Sequence, residues 1–336
     1  MLARLLVLAC LCAAGGRAGA AADQTHRSAG KVFGTTVEVS IHGESAARAA
    51  QLSALVFKEF ERLHGKFHAW QPSQLTALNA AIARGDSYQG DAEMVDLLKA
   101  AAALAARADN TFNPAIGGLI RLWGFQTSDI KPVSPSAAEI RRWVAANPRM
   151  SDLEFDGVRI SSRNKAVMLD LGGYAKGYAL DRAAALLRAQ QVKAALINIG
   201  GNVLAIGQPG ARPWRVGVQD PRGAGMLTSV ALRDNEAIGT SGDYQRYFMK
   251  DGKRRPHIID PRSGQSVDQI ASVTIITSGG PDAGTRSDGF TKPLFLTGAH
   301  GWQAMAARLG LEEVLLVDTE RNVMLTPAMQ ARIEAR

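Results

Sequence analysis

Five stretches of this 336-residue chain carry residue types suited to phosphate and proton chemistry. In Asp170-Leu171-Gly172-Gly173-Tyr174-Ala175-Lys176-Gly177-Tyr178 an apolar run enters paired glycines and then a helical pattern. Such a junction leaves backbone N–H groups open at a helix start, where the dipole favours an anion, and Lys176 adds a point charge in the first turn. Asn198-Ile199-Gly200-Gly201-Asn202 also ends an apolar strand in paired glycines, so backbone could approach a ligand from two sides. Taken singly, either pair is equally the composition of a tight connection. Thr240-Ser241-Gly242-Asp243-Tyr244 offers hydroxyls, a carboxylate and a ring that could read a nucleotide or form a local Ser/Thr turn.

Proton and cation chemistry fall later in the chain. His257, one of six histidines, opens His257-Ile258-Ile259-Asp260-Pro261-Arg262-Ser263-Gly264. An imidazole among polar groups can accept a proton near neutral pH, whereas Asp260-Pro261-x-x-Gly264 is turn chemistry. Asp282 and Asp288 could hold a hard cation through oxygen. Asp288, Thr291 and Lys292 fall on one helical face, a spacing that an ordinary Asp–Lys pair also explains.

The elements that must position these residues follow from periodicity. Alternation predicts strands over Lys31–His42, Trp214–Gln219, Thr228–Leu232, Ala237–Thr240 and Ser272–Thr277, and strand pairs Leu153–Ile160 with Ala166–Leu169 and Val314–Asp318 with Val323–Leu325. Ala194–Ile199 reads as the strand before Gly200-Gly201. Helical spacing predicts helices over Ala46–His64, Asp91–Ala108 with Asp91 as N-cap, Ala137–Ala146, Gly173–Gln190, and Phe290–Arg308 with a break around Gly298, Ala299 and Gly301. The fold class expected is mixed α/β, with helices interleaved among largely antiparallel strands and no linker that splits the chain.

At 46% hydrophobic and 21% charged, the composition suits a globular chain with ample core material. The net charge of +8 is spread without a basic block or interleaved aromatics, which gives no support to nucleic-acid binding. Arg4, the apolar run Leu5–Ala14 and Ala18-Gly19-Ala20 read as a secretory signal over residues 1–20, with residues 21–336 as the mature part. Cys10 and Cys12 lie inside that segment, so the mature protein would have no thiol or disulfide. Val7-Leu8-Ala9-Cys10 is a poor lipidation box, so the expectation is an exported, periplasmic protein that needs no membrane anchor.

From about Phe33 to Gly298 the chain resembles the ApbE family, the FAD:protein FMN transferases. The resemblance rests on motifs in family order: Phe33-Gly34-Thr35; Trp70-Gln71-Pro72-Ser73 with Leu78-Asn79; Phe112-Asn113-Pro114 through Trp123-Gly124-Phe125; Leu169 through Asp181; Asn198 through Asn202; Pro213-Trp214; Thr240 through Tyr244; and His257 through Gly264. It implies a T-fold-like domain that holds FAD and transfers its FMN half to a Ser or Thr hydroxyl of an exported or membrane flavoprotein, releasing AMP. By the same resemblance, Gly172, Gly173, Lys176, Gly200 and Gly201 would hold the phosphates, and Ser241, Asp243, Tyr178 and Tyr244 the nucleotide or flavin. His257 would take the hydroxyl proton.

The resemblance also implies a magnesium ion held by the Ala175 carbonyl, by Asp288 and by a Thr four residues beyond Asp288. Here that Thr position holds Lys292, Thr291 sits one residue early, and the family's Phe-Asp-Pro-like motif carries Asn113. The ammonium would stand where the cation sits, so weakened or absent magnesium binding is expected. A binding protein that has lost transfer, or a hydrolase that splits FAD to FMN and AMP, are the alternative readings.

Overall fold

The computed structural model describes residues 24–333. The signal segment and both cysteines lie outside the described residues.

The chain opens with the hairpin β1 (Thr25–Val32) and β2 (Thr35–His42), followed by α1 (Ala46–Phe67), α2 (Gln74–Arg84), the two-residue β3 (Tyr88–Gln89) and α3 (Ala92–Arg107). Short helices α4 (Gly117–Leu122) and α5 (Ala137–Ala146) precede the hairpin β4 (Leu153–Asp156) and β5 (Arg159–Ser162). Helix α6 (Ala175–Ala189) leads to β6 (Ala194–Ile199) and β7 (Asn202–Ile206), then to the hairpin β8 (Trp214–Gln219) and β9 (Met226–Leu232). Next come β10 (Glu236–Gly242), the hairpin β11 (Tyr247–Lys250) and β12 (Lys253–Pro256), and β13 (Ile270–Ser278). Helices α7 (Ala283–Gly289) and α8 (Thr291–Leu309), strands β14 (Glu313–Asp318) and β15 (Val323–Leu325), and α9 (Pro327–Arg332) close the described chain.

The main sheet has eight strands in the order β1-β2-β6-β7-β10-β13-β14-β15, every pairing antiparallel. It is covered on both faces, and β14 shows how. Val314 and Leu316 join the large core formed with α1, α3, α6 and α8, while Leu315 and Val317 join a second core under the β8–β9 hairpin and α9. Side chains alternate across a strand, so a doubly covered strand reads as a continuous apolar run. A third cluster, around Trp123, Phe125, Ile140, Phe248 and Ile259, lies under the β11–β12 hairpin.

Four expectations are corrected. Lys31–His42 is two strands, because Phe33 and Gly34 both take positive φ (56° and 69°) and turn the chain back. Leu153–Ile160 does not pair with Ala166–Leu169; it folds on itself at Gly157, and β4 pairs with β5. The helix expected from Gly173 starts at Ala175. The break in α8 falls at Gly298 alone (φ 66°, ψ −173°).

Candidate active site at one end of the sheet

β2 starts, and β6 and β10 end, at the same edge of the sheet. Val37 pairs with Ile199, and Ile238 with Val203, which places Thr35, the Gly200–Gly201 turn and Thr240–Ser241 side by side. The turn needs glycine twice over. Gly200 and Gly201 have φ of 57° and 93°, and a Cβ on Gly200 would lie 2.6 Å from Thr35 Oγ1. Gly201 N–H donates to Asn198 Oδ1 at 2.9 Å, and the Thr240 N–H donates to Asn202 Oδ1 at 3.2 Å.

Helix α6 enters beside this edge. Asp170 fixes its approach, accepting from Gly172 N–H at 2.9 Å and from Gln126 Nε2 at 3.1 Å. The residue before the helix, Tyr174, makes no side-chain cap. The Ala175 N–H donates to the Leu171 carbonyl at 2.7 Å and the Gly177 N–H to Asp288, which leaves the Lys176 N–H as the open donor of the first turn. Lys176 Nζ donates to the Gly172 carbonyl at 3.3 Å and lies 3.9 Å from Asp288 Oδ2.

Asp288 reaches this point through an arrangement of backbones. Asp181 on α6 accepts from Gly284 N–H (2.7 Å), Thr285 N–H (2.8 Å) and Thr285 Oγ1 (2.6 Å). It thereby caps α7, whose own Asp282 makes no capping bond. Burial pushes the Asp181 carboxyl up to about 6, against those three donors. The other end of α7 delivers Asp288, 2% exposed, whose Oδ2 accepts from the Gly177 N–H at 3.0 Å. Helices α6 and α7 touch backbone to backbone here: a Cβ on Gly177 would lie 2.2 Å from the Gly284 carbonyl oxygen and 2.7 Å from Asp288 Cβ. Alanine normally gains about 1 kcal/mol over glycine in a helix. The clash, with a backbone atom that cannot rotate away, reverses that sign. Gly177→Ala is expected to destabilise the fold by about 1–3 kcal/mol, the usual overpacking range. A denaturant titration reads this directly, and a stability at or above wild type would contradict the packing.

The ammonium of Lys292 lies over the glycine turn. A Cβ on Gly173 would lie 3.1 Å from Lys292 Cε. Its Nζ donates to Asp288 Oδ1 at 2.5 Å and to the Asp288 carbonyl at 2.6 Å. Burial pushes the Asp288 carboxyl up, but Lys176, Lys292 and the Gly177 N–H outweigh it and hold the group at about 2. Burial lowers the Lys292 ammonium from its ordinary value, Asp288 opposing and Lys176 adding to the fall. Thr291 Oγ1 donates to the Asp288 carbonyl at 2.7 Å, so the 2.7 Å bond between Ser241 and Thr291 runs from Ser241.

These donors do not fit a divalent cation. Asp288 Oδ1 is taken by Lys292, Oδ2 by Gly177, and Thr291 is turned to Ser241. Asp282 pairs with Arg286 at 3.0 Å, not with Asp288. Among the described residues no group of three or more His, Cys, Asp or Glu is placed to hold a metal ion. A doubly charged ion about 3 Å from an ammonium would be repelled by roughly 10 kcal/mol at an effective dielectric of about 20.

His257 completes the cluster. Its Nδ1 lies 3.2 Å from the Arg246 carbonyl, which can only accept. Nδ1 therefore carries the proton and Nε2 the free lone pair. Burial, then Arg246, Lys176 and Lys292, push the imidazole down to about 3. Both lysines act on this ring, so His257, Lys176, Lys292 and Asp288 share one neighbourhood. Arg246 is itself held by the carbonyls of Phe125 (2.8 Å) and Thr127 (2.7 Å) and stacks on Trp70.

Other expected site residues lie elsewhere or are otherwise engaged. Asp243 is enclosed by Arg222 (2.8 and 2.7 Å) and Arg254 (3.0 Å), so a ribose would compete with two guanidiniums for its oxygens. Tyr178 is about 200° around the helix from Lys176. Its hydroxyl donates to Glu93 at 3.4 Å, and burial followed by Glu93 pushes it up to about 12. Tyr244 lies against Gly242, where a Cβ would meet its ring at 2.3 Å, and burial pushes its hydroxyl up to about 12. Asn113 donates to the Pro148 carbonyl at 2.8 Å, a bond that an ionised Asp could not make. Arg246 and Asp181 carry no sequence signal of their own for a site role, although Asp181 ends the Leu169–Asp181 motif.

The ApbE family profile matches residues 33–315 of this chain. A Rhodobacter capsulatus protein named FAD:protein FMN transferase is 40% identical over 304 residues, covering 90% of this chain and 57% of that protein, so the chain spans little more than half of that relative. A Klebsiella pneumoniae protein of the same name is 33% identical over 307 residues, covering 90% of this chain and 92% of its own length. Among solved structures, the ApbE protein of Thermotoga maritima aligns with a TM-score of 0.85 at 29% identity, over 93% of this chain and all of that one. The apo flavinyl transferase ApbE of Pseudomonas stutzeri aligns at 0.81 and 29% identity, over 94% and 98% of the two chains.

Proposed function

This chain belongs to the ApbE family, and we propose that it is an FAD:protein FMN transferase that places FMN on a Ser or Thr hydroxyl of another protein. The names of its relatives support the reaction. The observation that carries it to this site is the neutral imidazole of His257, with Nε2 free, beside the positive cluster of Lys176 and Lys292 at the start of α6.

Each group has one task. The glycine turn, the Lys176 N–H at the start of α6 and the two ammonium groups bind and orient the diphosphate of FAD. The acceptor hydroxyl oxygen forms a bond to the FMN-side phosphorus, and the bond from that phosphorus to the bridging oxygen breaks. The bridging oxygen leaves with AMP. The hydroxyl proton goes to Nε2 of His257, and the Arg246 carbonyl steadies the imidazolium through Nδ1–H. A secretory segment over residues 1–20 supports an exported or membrane flavoprotein as acceptor, met in the periplasm.

The test mixes the protein with FAD and a Thr-bearing flavoprotein domain and follows the acceptor by mass spectrometry. FMN joined to the acceptor, with equimolar AMP, is the expected result. AMP at the same rate without acceptor would mean hydrolysis, and bound FAD with neither product would mean a carrier.

A further inference from the structure

We propose that Lys292 is a built-in cation at this site, so that the chain grips a diphosphate without a divalent metal. The inference rests on the transferase reading for the identity of the ligand, and on the geometry alone for the role of the lysine.

An ammonium has three N–H groups. Asp288 takes two of those of Lys292, through its carboxylate at 2.5 Å and its carbonyl at 2.6 Å, which leaves a third for a ligand oxygen. The side chain as a whole is 16% exposed, so part of it meets solvent. Lys176, 24% exposed, stands 3.9 Å from the other Asp288 oxygen. Two ammonium groups around one buried carboxylate leave one net positive charge, at the start of α6, where the helix dipole adds to it. The carboxylate orients both lysines as it would orient a metal ion. The chain carries its counter-charge covalently, so removal of solution metal leaves the cradle intact. Thr291, the hydroxyl nearest in sequence to the position a cation ligand would need, is committed to Ser241 and the Asp288 carbonyl.

The experiment measures binding rather than turnover. Inorganic diphosphate and FAD are titrated separately by calorimetry, in EDTA and again in magnesium, against the wild-type chain and Lys292→Thr. The wild type is expected to bind both ligands equally well in the two buffers. Lys292→Thr is expected to lose tenfold or more of its affinity for diphosphate in EDTA. A wild type that needs magnesium for either ligand, or a folded Lys292→Thr chain that keeps full affinity in EDTA, overturns the proposal. Should the Thr variant fail to fold, Lys292→Arg supplies the second comparison: it keeps the charge and is expected to bind without metal, and a tenfold gain on adding magnesium counts against the idea. Diphosphate binding without FAD binding would defeat the transferase reading and leave the lysine's role standing.

Discussion

His257→Ala retains FAD binding and lowers FMN transfer by about 10²- to 10⁴-fold, the usual worth of a positioned proton acceptor. The expectation follows from the hydrogen bond at Nδ1. The Arg246 carbonyl fixes the tautomer, so Nε2 is the only lone pair the ring can offer. Burial and the three nearby cations hold the free ring neutral down to about pH 3. A bound diphosphate offsets Lys176 and Lys292, so the ring gains basicity when substrate arrives. The acid limb of the transfer rate should therefore lie above pH 3 and disappear in the variant. Stability carries the same sign. The folded-state value lies below the unfolded one of 6.5, so the unfolded chain binds more protons between about pH 6.5 and pH 3. The contribution of His257 is complete above 6.5 and is lost as pH falls through that window. His257→Gln should flatten that part of the stability profile in denaturant melts, and an unchanged profile would remove the ring from its buried, cation-flanked setting.

Asp288→Ala has the second large effect. It leaves Lys292 and Lys176 facing each other with the carboxylate gone and the Gly177 N–H unpaired. Breaking a buried ion pair from one side costs about 3–5 kcal/mol, which in a chain of this size lowers the melting temperature by on the order of 10 °C. Transfer falls at least about 10²-fold, because both lysines lose the group that aims them. The deficit has a distinctive remedy. Inorganic diphosphate supplies the missing negative charge to the folded state and should raise the melting temperature of Asp288→Ala more than that of the wild type. Equal shifts in the two proteins would show that the carboxylate and the phosphate do not share the same cations.

What was legible in the sequence was the local chemistry. The Gly172–Gly173 turn before a lysine-bearing helix is helix-start chemistry written within nine residues. The Asp288–Lys292 pair is helix spacing. What was hidden depended on distant partners. Asp181 caps α7 across 103 residues, and nothing around Asp181 announces the uncapped helix it serves. Asp243 looked available because its partners, Arg222 and Arg254, stand 21 and 11 residues away. Arg246 acts mainly through a carbonyl, which every residue has, so its type gave no signal. The first hairpin was missed because alternation runs on through Phe33, and only the positive φ of Phe33 and Gly34 reveals the reversal.

In the proposed arrangement the diphosphate of FAD sits among the α6 start, Lys176 and Lys292, with His257 at the FMN-side phosphorus. A crystal structure of the chain soaked with FAD in EDTA tests it most directly. Density for both phosphates within hydrogen-bond distance of Lys176 and Lys292, and Nε2 of His257 facing the FMN-side phosphorus, is the predicted result. FAD lodged instead in the groove of about 450 Å³ between Trp70, Trp143 and Met168, with both lysines and His257 untouched, would contradict it.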